Sequence, residues 1–145
     1  AYMDHFKEFY EPLFFHIERI NPKVCYLQVG KPSLEIFKDK LEQQFETVQV
    51  WDILYYRKHH CYLLRGGNDA GCDFDFTNID DTVTPIKAVE YEKPQYVADF
   101  CAGRGLTAEA CFINGSHFLG TELNRRKLAV LIERSRKYGN GFEKI

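Results

Sequence analysis

Residues 97–107 read V-A-D-F-C-A-G-R-G-L-T and join a short apolar run to a helix-like segment through a turn with two glycines. The stretch from Gly103 to Ala108 fits the pattern G-x-G-x-x-A. In this pattern the first glycine permits a tight turn, the second lets a ligand approach the backbone, and the small third residue lets helix and strand pack closely. The pattern therefore predicts a βα unit, and such units build α/β proteins.

Apolar runs and helical periodicity alternate along the rest of the chain. The predicted elements are helices over 3–20, 32–45, 85–92 and 106–114, strands over 23–29, 47–56, 61–65, 96–101 and 117–122, a loop over 66–81, and a last helix between an N-cap at Asn124 and a C-cap at Gly139. The second and third strands predict an antiparallel hairpin. Otherwise the strongly apolar strands predict an open, three-layer, Rossmann-like α/β sheet that is mostly parallel, with helices on both faces.

The composition is typical of a single globular domain. The 145 residues are 45% hydrophobic and 15% aromatic, which is enough for one sizeable core. A net charge of −2 gives no overall basic field, and no apolar run approaches the roughly 20 residues of a membrane span. We therefore expect a soluble, cytoplasmic protein that does not contact membranes.

Metal-ligand patterns are absent from the sequence. His59 and His60 are adjacent and would point to opposite faces of a strand. The acidic residues between Asp73 and Asp81 do not have the spacing of a calcium loop, which favours a solvated loop over a cation site. Five scattered cysteines without a C-x-x-C pair favour reduced thiols over a disulfide or zinc framework: Cys25, Cys61, Cys72, Cys101 and Cys111.

Two carboxylates flank the glycine turn. Asp99 lies four residues before Gly103, and Glu122 lies 17 residues beyond Gly105, near the spacing at which a carboxylate binds ribose hydroxyls. Asp99 would repel a pyrophosphate at this turn by roughly 4 kcal/mol at about 4 Å and intermediate dielectric. The two carboxylates thus favour a ligand with an adenosine and a cation, such as S-adenosylmethionine, over NAD. A tight turn beside an unrelated surface glutamate is the alternative interpretation.

Residues 97–124 resemble the cofactor-binding half of the S-adenosylmethionine-dependent amino-methyltransferases that modify DNA bases. That family has approximately D-P-F-x-G-x-G-T-T, followed by a strand that ends in G-x-E-x-N. The matching positions are Asp99, Gly103, Gly105 and Thr107 in the first motif, and Gly120, Glu122 and Asn124 in the second. The chain departs from the family at Phe100, where the family has proline, and at Leu106, where it has threonine.

The resemblance implies a set of cofactor contacts. Asp99 would face the methionine part of S-adenosylmethionine, the backbone around Cys101 would hold it, and Glu122 would bind the ribose hydroxyls. Thr84-Pro85-Ile86-Lys87 lies where the family has a short Lys-Pro motif before a helix that also touches the cofactor. The residues assigned to cofactor binding are Asp99, Phe100, Cys101, Ala102, Gly103, Gly105, Thr107, Glu122, Asn124 and Pro85.

The order of the segments is that of permuted members of the family, in which the catalytic half comes first. Residues 1–67 are similar in architecture to the C-terminal part of that half, 68–84 form a loop, and 85–145 correspond to the cofactor-binding half. The family's catalytic tetrapeptide, (D/N/S)-P-P-(Y/F/W), does not occur in the chain. It would precede Tyr2, on a strand beside 96–101 at the centre of the sheet. We therefore expect the sequence to be part of a longer chain, and no catalytic residue is assigned.

Three functions remain open from the sequence. The resemblance favours an S-adenosylmethionine-dependent methyltransferase acting on an exocyclic amino group of DNA, with adenine as the preferred base. The missing tetrapeptide favours a degenerate or non-catalytic S-adenosylmethionine-binding subunit, and the glycine turn alone would also suit an NAD-dependent oxidoreductase. The expected partners are DNA and either a second copy or another protein that supplies the missing strand.

Two segments carry clustered positive charge. The last helix is basic, and the sequence R-K-H-H at 57–60 lies between the two strands of the predicted hairpin. A solvated helix face is the default interpretation of the first segment. The hairpin segment is a candidate for contact with nucleic acid.

Overall fold

The computed structural model describes residues 6–138. Met3 and Gly139, which the sequence assigned to the first helix and to the last C-cap, lie outside this range. The elements are α1 (Phe6–Ile20), β1 (Val24–Val29), α2 (Leu34–Gln44), β2 (Thr47–Tyr55), β3 (His59–Gly67), α3 (Thr84–Glu92), β4 (Tyr96–Asp99), α4 (Leu106–Asn114), β5 (His117–Gly120) and α5 (Arg125–Arg136), with a short 3-10 turn before α2 at Lys31–Ser33. This order confirms the predicted sequence of helices and strands.

The five strands form two sheets. In the first, β3 lies between β1 and β2 and pairs antiparallel with both. In the second, β4 and β5 are parallel, with Tyr96 opposite His117 and Asp99 opposite Gly120. The prediction of a mostly parallel sheet is therefore wrong for residues 6–138, in which only β4 and β5 pair in parallel. The apolar run of β1 indicated a buried strand, but β1 is an edge strand whose residues are mostly half-buried and which pairs antiparallel with β3.

The chain divides into two compact units between Ile79 and Asp80, inside the segment predicted as a loop. In the first unit, α1 and α2 pack through aromatic rings. The ring of Phe37 lies 5.5 Å from that of Phe6 and 5.4 Å from that of Phe14, measured between centroids. Leu64 of β3 is fully buried, as expected for the central strand of the sheet.

A buried ion pair joins β3 to the segment that follows it. Arg65 is only 1% exposed, and its guanidinium donates to both carboxylate oxygens of Asp69, at 2.9 and 2.6 Å. The hydrogen bond from Arg65 lowers the pKa of Asp69 to about 2. A carboxylate thus neutralises a cation that would otherwise be buried alone at a large cost in free energy.

The long loop after β3 is anchored to the first sheet. Phe76 is fully buried and packs against the rings of Tyr26, Trp51 and Phe74. The side chain of Gln49 on β2 donates to Cys72 O at 3.0 Å and accepts from Cys72 N at 2.7 Å. The sequence predicted a solvated loop here because of its Gly, Asn and Asp content. The signal that could have corrected this interpretation is the F-D-F spacing at 74–76, which places two aromatic rings within three residues.

In the second unit, one face of the β4–β5 pair packs against helices. Val97 and Phe118 contact a buried cluster formed by Val89, Ala110 and Cys111. A second cluster joins Ala102, Ala108 and Leu131, so the small side chains of Ala102 in the β4–α4 turn and Ala108 on α4 meet the larger Leu131 of α5. This packing holds the β4–α4 turn between the sheet and α5.

The described residues contain no group of three or more His, Cys, Asp or Glu side chains placed to hold a metal ion. Among the described helices, none combines the length and apolar character needed to cross a membrane.

Candidate cofactor site

The turn between β4 and α4 is bound to the residues that follow β5. Thr121 N donates to Asp99 O at 3.0 Å, and Ala102 N donates to Thr121 O at 3.0 Å. The hydroxyl of Thr121 donates to Phe100 O at 2.8 Å. Thr121 therefore fixes three positions of the turn. The sequence motif does not indicate this residue, because Thr121 occupies the variable position of G-x-E.

The two glycines of the turn have different roles. Both have positive φ, 56° at Gly103 and 89° at Gly105, which favours glycine at each position. A Cβ at Gly105 would lie 2.8 Å from Leu131 Cγ and 3.2 Å from Leu131 Cα, whereas one at Gly103 would meet only Cys101 O at 3.8 Å. The second glycine was expected to let a ligand approach the backbone. Its Cβ position instead faces α5, and Gly103 is the glycine beside open space.

The carboxylate of Asp99 is directed toward the turn that follows it. Cys101 N donates to Asp99 Oδ1 at 3.0 Å. Partial desolvation of the Cys101 thiol, together with the charges of Asp99 and Glu122, raises its pKa although the side chain is exposed. Burial and Asp99 likewise raise the pKa of Cys111 to about 11. Both thiols are therefore protonated at neutral pH, which disfavours a nucleophilic role for Cys101.

The carboxylate of Glu122 joins the glycine turn to the segment before α5. Its Oε1 accepts from Gly103 N at 2.9 Å, and its Oε2 accepts from Asn124 N at 2.7 Å. The hydrogen bond from Asn124 is the largest cause of a lowered pKa at Glu122; the bond from Gly103 and the charge of Lys127 act in the same direction, while desolvation opposes them. Glu122 is therefore an anion at neutral pH, with both oxygens held in place by the backbone.

The remaining predicted residues are placed differently. Asn124 caps α5, since its side-chain oxygen accepts from Arg126 N at 3.0 Å and Lys127 N at 3.1 Å, as predicted. The side chain of Ala102 is buried in the core, so that only its backbone is part of the turn surface. Thr107 lies in the first turn of α4. Pro85 lies in the first turn of α3, apart from the hydrogen bonds that join the other residues.

The structure thus brings Asp99 and Glu122 to the same short turn. One carboxylate binds the N–H of Cys101 and the other that of Gly103, two residues away. Two negative charges at one glycine turn attract a cationic group and repel a phosphate. The exposed side chains of Cys101 and Arg104 show that the outer surface of the turn is accessible.

Comparison with known proteins gives matches among solved structures. TTHA0409 of Thermus thermophilus, assigned to the DNA modification methylases and crystallised with S-adenosyl-L-methionine, matches with a TM-score of 0.67 at 18% identity, over 97% of this chain and 81% of its own. M1.HpyAVI matches with a TM-score of 0.66 at 15% identity, over 86% of this chain and 82% of its own. The chain shares the fold of these two proteins.

The complex of M1.HpyAVI with SAM also matches, with a TM-score of 0.61 at 15% identity, over 91% of this chain and 94% of its own. No protein-family model matches the sequence, and no curated protein matches it. At these identities the structural matches establish the fold. The chemistry of the glycine turn depends on its own residues.

We predict that the two glycines of the turn differ in their contribution to stability. Gly105→Ala adds a close contact with Leu131 to an unfavourable φ, and should lower the free energy of unfolding by about 3 kcal/mol. Gly103→Ala introduces only the unfavourable φ and should cost about 1 kcal/mol. Urea denaturation of both variants measures the difference. Equal losses would show that Leu131 moves aside without cost.

We also predict an acid-dependent contribution from Glu122. Because its pKa is lower in the folded protein than in the unfolded chain, its stabilising effect is complete above the unfolded pKa and is lost as pH falls through the folded pKa. The urea midpoint of the Glu122→Gln variant should therefore fall less on acidification than that of the wild type. Glu133→Gln, on the exposed side of α5, is the matched control and should follow the wild type. A Glu122→Gln profile parallel to the wild type would contradict the prediction.

Proposed function

We propose that the protein is an S-adenosylmethionine-dependent methyltransferase that acts on an amino group of DNA, with adenine as the preferred base. The observation that carries this proposal is the placement of both carboxylates on one glycine turn, within a fold shared with a protein crystallised with S-adenosyl-L-methionine. The positive charges of S-adenosylmethionine suit this turn, whereas the pyrophosphate of NAD does not.

The residues of the turn fit the parts of this cofactor. The Glu122 carboxylate accepts from the N–H groups of Gly103 and Asn124, and a carboxylate has about four acceptor sites, so capacity remains for a ribose hydroxyl. Asp99 can accept from the ammonium of the methionine part, and the open space at Gly103 leaves the backbone accessible. When bound, S-adenosylmethionine supplies a methyl group on a positively charged sulfur. The chain's own contribution is to orient the cofactor and to stabilise its charge.

We extend the proposal to the organisation of the chain. Residues 1–67 would belong to the catalytic half of a permuted methyltransferase, 68–84 to a connecting loop, and 85–145 to the cofactor-binding half. The full set of cofactor contacts would be the residues assigned from the sequence, Pro85 included, and the protein would act in the cytoplasm. DNA would be the substrate, with a second copy or another protein as a further partner.

A second candidate is a cofactor-binding subunit without catalysis. It is favoured by the absence of the (D/N/S)-P-P-(Y/F/W) tetrapeptide from residues 1–145. In the methyltransferases that carry it, this segment binds the target amino group and stacks on the flipped-out base. The two candidates share the cofactor and differ in the transfer of the methyl group.

Ligand binding to an Asp99→Asn variant tests the assignment of the cofactor. Loss of the carboxylate should weaken binding of S-adenosylhomocysteine by about tenfold, the value of a hydrogen bond to a charged group. The same substitution removes the repulsion between the Asp99 carboxylate and the pyrophosphate of NAD, so any affinity for NAD should rise. Calorimetry with both ligands measures the two effects, and Glu133→Gln is the control. Tight NAD binding by the wild type would refute the proposal.

A methyl-transfer assay separates the two candidates. Full-length protein is incubated with duplex DNA and S-adenosylmethionine that carries a tritiated methyl group. Label in N6-methyladenine after nucleoside chromatography is the expected result. Label in N4-methylcytosine would correct the base. Cofactor binding without any transfer would support the non-catalytic subunit.

A further inference from the structure

The end of the β2–β3 hairpin forms an exposed basic and aromatic surface. We call residues 55–60 (Tyr55, Tyr56, Arg57, Lys58, His59 and His60) the hairpin tip. All six are exposed, with Tyr56 at 68%. The segment contains no acidic residue and carries a charge of +2 with neutral histidines. Two aromatic rings beside two long cations are the groups that bind the bases and phosphates of nucleic acids.

The hairpin tip has a rigid base. Ile53 and Cys61 face each other across the ladder, and both are buried. Tyr55, the last residue of β2, lies two residues beyond Ile53, which places the start of the turn about 7 Å from the buried pair at the rise of a β-strand. The His60 ring lies 2.8 Å from an Asp52 oxygen across the two strands, which further fixes the base. A projecting two-stranded ribbon of this kind fits the width of the DNA major groove.

The backbone of the turn is in an unfavourable conformation for its residues. Tyr56 and Arg57 have φ values of 51° and 62°, and Lys58 N donates to Tyr55 O at 3.3 Å. Hairpin turns with two positive φ angles normally carry Asn-Gly or a similar pair. Side chains as large as tyrosine and arginine at these positions cost stability, and such strain concentrates at functional sites.

We propose that the hairpin tip is a DNA-contact surface of this protein. Arg57 and Lys58 bind backbone phosphates, and the exposed ring of Tyr56 packs against a base or a sugar. The inference rests on the proposed function, because it takes DNA as the substrate. The inference identifies the segment that binds the DNA duplex, whereas the cofactor site identifies only where the cofactor binds.

Binding of fluorescent duplex DNA to the full-length protein tests the proposal. The Arg57→Ala/Lys58→Ala variant should bind about tenfold or more weakly at about 50 mM salt. Its plot of log K against log salt should be less steep by about 2, one for each lost phosphate contact. The control variant is Lys31→Ala/Lys40→Ala, in which Lys31 lies in the 3-10 turn before α2 and Lys40 lies in α2. It removes the same charge and should leave the DNA affinity and the salt slope unchanged. Calorimetry with S-adenosylhomocysteine should be unchanged in both variants.

A second variant separates contact from folding. Tyr56→Asn/Arg57→Gly provides the residues that the turn geometry favours, so its Tm should rise by a few degrees while DNA affinity falls. A more stable protein that binds DNA less tightly cannot be explained by loss of structure.

The outcomes are distinguishable. Wild-type affinity and salt slope in the tip variants, or an equal loss in the Lys31/Lys40 control, would overturn the inference while the proposed function stands. Equal affinity for polyglutamate and DNA would indicate an acidic protein partner and would also overturn it. If the wild type binds no DNA, the DNA acceptor and the inference fail together. If DNA binding depends on the tip but S-adenosylhomocysteine does not bind, only the cofactor assignment fails.

Discussion

The carboxylate of Glu122 is the contact on which the candidate site depends. It satisfies the N–H of Gly103 in the glycine turn and the N–H of Asn124 before α5. Without it, the N–H groups of Gly103 and Asn124 would lose their protein partner and would have to be satisfied by water. The shape of a turn after one strand is thus determined by a side chain from the end of the next. The group proposed to bind the ribose is also the one that holds the site together.

Packing beneath the turn supports this arrangement from the other side. There is no room for a side chain at Gly105, because Leu131 lies directly against it. The small side chain of Ala108 allows α4 to approach α5 closely. The turn is therefore fixed by α5 below and by Thr121 at its edge. Preorganisation of this kind lowers the entropy that a ligand must lose on binding. The short motif predicted the local structure well because both glycines have a positive φ and Gly105 also lies against Leu131.

The sequence predicted the order of elements, the glycine turn and the Asn124 cap, because each depends on local periodicity or on backbone chemistry. It did not predict the antiparallel neighbour of β1, because an apolar run is typical of parallel strands and does not show which strand will pair with it. The buried Phe76 was hidden in a segment whose average composition is polar. The contact between Gly105 and Leu131 joins positions far apart in the chain, and no local pattern encodes it. The motif predicted the position of Asp99 at the turn, but it did not predict the hydrogen bond from Cys101 N to Asp99.

The ion pair between Arg65 and Asp69 affects how the first unit comes apart. Asp69 lies at the start of the long loop, while Arg65 lies in the central strand and is almost wholly inaccessible to water. Detaching the loop would leave the guanidinium buried without its counterion, which costs about 3 kcal/mol or more. Opening of the loop and melting of the sheet are therefore coupled into one cooperative event. We therefore expect the protected amide hydrogens of this segment, which has no regular secondary structure, to exchange on the timescale of the core rather than on that of a surface loop.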